Sequence, residues 1–133
     1  MADHQTPQNH LLETDPEVKS YIYQQLSEFE PYVSPETVVA VVARDPRRLL
    51  LQFEAEGKDV TRQDLAKLHR IAIVLREGDT TIQEEGLHSD VFEAIRLAKV
   101  SLLKKLESIH DSVVSNQDRM AQINDALQNN QVH

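Results

Sequence analysis

Residues 90–127 read DVFEAIRLAKVSLLKKLESIHDSVVSNQDRMAQINDAL. Within them Phe92, Ile95, Leu102, Leu106, Ile109, Val113, Met120, Ile123 and Leu127 recur at alternating steps of three and four. Only Lys99 and Asn116 interrupt the ladder. That alternation places all nine side chains on one stripe of a helix. Asp90, with Glu93 three residues on, has the form of a capping box, and Ser89 is an equally good cap. No Gly or Pro falls between Asp90 and His133. The expected element is one long amphipathic helix. Its first part, to Ile109, covers a sheet, and its second part, from Asn116 to Leu127, continues the stripe.

Upstream, the chain alternates helix and strand signals. Asp15-Pro16 is an N-cap followed by proline at the first helical position. Val18, Tyr21, Ile22, Leu26 and Phe29 form the stripe of that helix, and Pro31 stops it. Residues 37–43, TVVAVVA, are β-branched and apolar on both faces, as a central strand would be. Asp45-Pro46 repeats the cap-plus-proline signal, with Leu49, Leu50 and Phe53 on a helical face and Gly57 at C′. A strand over residues 48–55 is the alternative there. Thr61 to Leu68 reads as a short helix, boxed by Thr61 and Asp64. Ile71 to Leu75 is a buried strand, Glu77-Gly78-Asp79 a turn, and Thr80 to Glu84 a polar return strand. Gly86 to Ser89 then leads into the long helix. This order predicts an α+β fold, an antiparallel-rich sheet of three to four strands with two helices on one face. Residues 1–13 are a flexible N-terminus or a weak edge strand, 14–115 the domain with a helical insert at 45–68, and 116–133 a helical extension with a polar tail.

Bulk properties narrow the function classes. The chain of 133 residues is large enough for one real core. It has no Cys, so disulfides, thiolate metal sites and cysteine nucleophiles are excluded. No apolar run is long enough to span a bilayer, and the N-terminus lacks a signal pattern, so a cytoplasmic location is expected. The net charge of −8 argues against nucleic acid, but its distribution is uneven. Residues 1–45 hold eight acids and two bases, whereas residues 90–115 hold four of each. Nearly all the base therefore lies between Arg44 and Lys105, where a local basic face can form.

Three blocks resemble the ribosome hibernation-promoting factor family, the ribosome-associated inhibitors of translation. Thr14 to Tyr32, with Tyr21-Ile22, Leu26 and Phe29, is similar to the family's first helix. His69 to Glu85 is similar to its hairpin. Residues 90–95, DVFEAI, followed by Leu102, Lys104 and Leu106, are similar to its second helix pattern, D-x-Y-x-A-I-x(6)-L-x-(R/K)-x-L. The third block is the most specific. The resemblance implies a β-α-β-β-β-α fold, like a double-stranded-RNA-binding domain. It also implies a stasis factor that occupies the RNA channel of the small ribosomal subunit and suppresses translation without chemistry. The chain departs from the pattern at Gln25 and Ser101, where basic residues are usual, in the insert, and in the poor first-strand candidate before Thr14.

The rRNA-facing candidates are Arg96, Lys99, Lys104 and Lys105 on the long helix, Arg44, Arg47 and Arg48 at a helix start, and Arg70 and Arg76 on the sheet. Arg and Lys neutralise backbone phosphates in a salt-sensitive, sequence-independent way. Against this stands an ordinary charged surface, with Arg44, Arg47 and Arg48 pairing with Asp45 and the acids of the first helix. Lys104 matches a basic position of the family motif. Lys67 and His69 extend the basic edge, with His69 a strand-entry residue. No cofactor is expected. The six histidines show no metal-ligand spacing, and Glu84 and Glu85 point to opposite faces of a strand, so neither metal nor acid–base catalysis is expected. The stripe through Met120, Ile123 and Leu127 is either a homodimer or partner-helix seam or a frayed helical end. A protein-interaction module built on that helix is accordingly the alternative to ribosome binding.

Overall fold

The computed structural model describes residues 12–131, apart from the side chains of residues 114–116, 118 and 125–131. The fold is α+β. Helix α1 (Pro16–Leu26) starts where Asp15 accepts from the Glu17 and Val18 N–H groups, at 2.9 and 3.3 Å. These contacts satisfy donors that an α-helix leaves orphaned. The helix ends at Leu26, before the proline, and the chain tightens into a 3₁₀ segment, Ser27–Tyr32, that contains Pro31. Residues 12–14 are helical, so the strand expected before Thr14 does not extend into residues 12 and 13. The remainder of that stretch lies outside the described residues.

Strands β1 (Val38–Arg44), β2 (His69–Glu77) and β3 (Thr80–His88) form one antiparallel sheet in the order β1-β2-β3. Among the described residues β1 is therefore an edge strand, not the central one its sequence suggests. Its two faces are apolar for different reasons: Ala43 is buried, while Val38, on the other face, is 61% exposed. The β2–β3 hairpin turns on Gly78 and Asp79, with Glu77 paired to Thr80. Gly78 has φ +60° and Asp79 does not enter positive φ, the pattern of a type II′ turn.

The insert is helical, not a strand. It comprises a 3₁₀ segment at Pro46–Leu49, helix α2 (Leu50–Ala55) and helix α3 (Arg62–Ala66). Gly57, at φ +79°, is the left-handed residue just past α2. Thr61 and Asp64 exchange side-chain–backbone bonds of 3.0 Å in a complete capping box. Leu65 and Pro46 are buried where α3 meets the 3₁₀ segment.

Helix α4 (Val91–Gln131) runs for 41 residues. Asp90 accepts from the Phe92 N–H at 3.0 Å. The expected reciprocal bond from Glu93 is not made, because the Asp90 N–H donates to His88 Nδ1 and Glu93 holds Arg96 instead. Register assigns Val39, Val41, Ala43, Ile71, Ile73, Leu75, Ile82 and Gly86 to one sheet face. Ala43 and Ile71 share a core cluster with Val18 and Ile22 of α1 and with Val91, Ala94 and Ile95 of α4. Both helices thus lie on that face. The approach is close enough that a Cβ on Gly86 would overlap the Ala94 carbonyl oxygen and stand 2.7 Å from the Ala98 nitrogen. Gly86 is therefore a mid-strand residue, not part of the expected lead into the helix. The buried residues of α4 are Val91, Ala94, Ile95, Ala98, Leu102 and Leu106, which adds small residues to the expected stripe. Ile109, expected at the end of the sheet-covering part, is exposed.

The chain divides into two compact units after Leu102. Among the described residues no helix is long and apolar enough to cross a membrane.

Candidate nucleic-acid interface

The nine predicted cations fall into two groups. Five are tied to carboxylates. Arg44 and Arg70 stand directly opposite each other across β1 and β2, on the sheet face away from the helices. Two cations in that relation repel. Glu85 of β3, which shares their face, resolves this by accepting from Arg44 at 2.6 Å and from Arg70 Nε at 2.8 Å. Gln83 takes a second Arg44 bond at 2.6 Å, and the Asp45 carbonyl accepts from Arg70 at 3.2 Å. Burial would raise the Glu85 pKa, but the hydrogen bonds from Arg70 and Arg44 outweigh it and hold the carboxyl below its ordinary value. Arg44 thus pairs across the sheet, not with the acids of the first helix.

Arg47 folds back on Asp45 through two 2.9 Å bonds, and these hydrogen bonds draw the Asp45 carboxyl down to about 2. Arg96 grips Glu93 with bonds of 3.0 and 2.9 Å. Lys99 is largely covered: its side chain is only 13% exposed, and its ammonium meets Glu28 at 2.7 Å. The lysine that interrupts the apolar ladder therefore keeps its place in it by covering its stem and reaching a surface acid.

The other four reach solvent. Arg48, Arg76 and Lys104 are exposed and form no ion pair among the described residues, and Lys105 is exposed as well. Arg76 shares its sheet face with Arg44 and Arg70 but is six residues along β2 from Arg70, about 20 Å at strand rise. Lys104 and Lys105 belong to the helical unit. Lys67 is exposed beyond the end of α3. His69 does open β2, and its Nδ1 is buried with no hydrogen-bond partner among the described residues. Burial lowers its pKa, partly countered by the charge of Asp90.

The acids that neutralise these cations, Glu28, Glu85 and Glu93, were not singled out as partners from sequence. Period-two alternation put Glu85 on one strand face, but only the register shows that Arg44 and Arg70 share it. Among the described residues no three His, Asp or Glu side chains are grouped to hold a metal ion. What remains can attract phosphate at the exposed cations. No known family model matches the chain, and no curated protein matches it.

Proposed function

We propose that this protein is a ribosome-binding stasis factor, which seats on the RNA of the small subunit's channel and suppresses translation by occupancy alone. The observation that carries the reading is Lys104. There the basic position of the hibernation-factor helix pattern coincides with an exposed cation that has no ion pair among the described residues. The surrounding order supports it: a helix, a strand, the helical insert, two further antiparallel strands, and the long helix opening on DVFEAI at residues 90–95. The net charge of −8 makes approach to RNA unfavourable overall, so binding depends on a few placed cations and falls steeply with salt.

The test is co-sedimentation of the full chain with purified small subunits across a salt series. Lys104→Glu combined with Lys105→Glu is expected to weaken binding by at least about tenfold and to lower the salt slope by about 2, one for each lost phosphate contact. Both positions are exposed, so the fold should persist by circular dichroism. Pelleting that is indifferent to both the double reversal and the salt concentration sinks the proposal.

A further inference from the structure

Strand β2 opens on a histidine and β3 closes on one, and the register sets His69 directly opposite His88. Side chains in that relation share a sheet face and lie within contact of each other. The face is the one the helices cover, because Ile71 and Gly86, the next pair along it, lie there too. Ribosome binding through Lys104 leaves this pair unused.

Each ring is placed as a neutral imidazole. His88 Nδ1 accepts from the Asp90 N–H at 2.9 Å, so its proton sits on Nε2. That bond ties the last residue of β3 to the residue that caps α4 at Phe92. An imidazolium donates from both nitrogens, so a charged His88 would aim a second hydrogen at the same N–H. A charged His69 would place its new N–H on a buried atom with no acceptor among the described residues. With both charged, two cations stand opposite each other on adjacent strands. The charges around the pair are mostly engaged elsewhere. Asp45, beyond the end of β1, holds Arg47, Arg70 turns to Glu85 on the other sheet face, and Lys67 interacts with Asp64. On α4, Glu93 senses the His88 charge but grips Arg96. Asp90 draws a proton toward His69, yet burial opposes it more strongly and holds the His69 pKa below its ordinary 6.5.

We propose that His69 and His88 form an acid-sensitive latch on the start of α4, closed while both rings are neutral and opened as they take up protons. Opening removes the tie between β3 and the first turn of the helix, beside the close approach of Ala94 and Ala98 to Gly86. As pH falls, the unfolded chain binds the His69 proton before the folded one does. The contribution of His69 is therefore fully present above 6.5 and is lost as pH falls through the lower folded value. The latch stands on the pairing of the two rings and on the Asp90 bond, and does not depend on ribosome binding.

The test is denaturant unfolding of the full chain at about pH 7.5 and about pH 5.5, a range above the ordinary carboxylate titrations. The unfolding equilibrium constant is expected to rise at least about threefold at the lower pH. In His69→Gln combined with His88→Gln that rise should be lost. Each protein is compared with itself at the two pH values, so any stability lost to the substitutions does not enter. Nuclear magnetic resonance of the unaltered chain gives a second readout that needs no variant. The His69 ring should titrate below 6.5, and the Asp90 amide proton should move with the midpoint of the His88 ring. An equilibrium constant that is the same at both pH values overturns the proposal. So does a rise that survives in the double variant, because other groups then cause it. An Asp90 amide that stays in place while both rings titrate overturns it too, since the helix start would not be tied to the pair.

Discussion

The two parts of α4 share one apolar ladder and differ in what becomes of it. Between Val91 and Leu102 the inward line is sealed, with Ala94, Ile95, Ala98 and Leu102 at zero exposure. Between Ile109 and Ile123 the same periodicity stays about half exposed. Heptad spacing is therefore not what seals a helix. The sealed part alternates Ala with larger residues, and Ala94 and Ala98, four apart, bring backbone against Gly86 of β3. The second part offers Ile, Val and Met side chains. Its cations differ as well: Lys99 and Arg96 of the first part are matched to Glu28 and Glu93, whereas Lys104 stands exposed with no ion pair among the described residues. The first part is sealed by its own chain, and the apolar line of the second stays exposed.

The severest way to break that contrast is to fill the space at Gly86. Any side chain there must displace helix backbone, which a flexible neighbour cannot absorb. Gly86→Val is expected to destabilise the fold by about 3 kcal/mol or more, at the upper end of overpacking effects. The thermal midpoint should fall by roughly 10 °C. A melt indistinguishable from that of the unaltered chain would mean that the close approach of α4 to β3 is not a feature of the folded protein.

A matched pair of truncations sharpens the contrast further. Ile95→Ala removes a fully buried side chain and should cost about 2–5 kcal/mol in denaturant unfolding. Ile123→Ala alters the same residue type on the same helix at an exposed position, and should change stability by less than about 0.5 kcal/mol. Equal losses would erase the distinction between the two parts.

Much of this was legible in the residues because caps and turns are local. Asp15-Pro16, Asp45-Pro46 and the Thr61–Asp64 box each open a helical segment, and Gly57 and Gly78 take the left-handed conformations that their places predicted. The errors arose where a local signal had a non-local cause. Gly86 resembled punctuation but serves a close approach, a reading that Ala94 and Ala98 would have supplied. The box at Asp90 was lost to His88, two residues away. β1 looked central because strand composition reports apolar faces without reporting what covers them. At the candidate interface the cations were legible and their neutralisation was not. Lys99 and Glu28 are 71 residues apart and Arg44 and Glu85 are 41 apart, so only topology brings them together.

The smallest effect concerns that neutralisation. Glu85 serves two arginines that would otherwise face each other, so Glu85→Gln keeps the shape and removes the charge that both require. A loss of roughly 1–2 kcal/mol is expected, moderated because Glu85 is 28% exposed and the arginines keep partial access to water. The pH dependence follows from the direction of the shift. The folded-state pKa of Glu85 lies below its ordinary 4.5, so the unfolded chain binds more protons between those values. The stabilisation from ionised Glu85 is therefore fully present above 4.5 and is lost as pH falls through the folded value. In Glu85→Gln the fall in stability between about pH 5 and 3 should be shallower than in the unaltered chain, leaving the contribution of Asp45, whose pKa of about 2 extends its loss to lower pH. Acid limbs of the same slope in both proteins would show that the Arg44–Glu85–Arg70 bridge does not hold its charge in solution. Arg44 and Arg70 would then be as open to phosphate as Lys104.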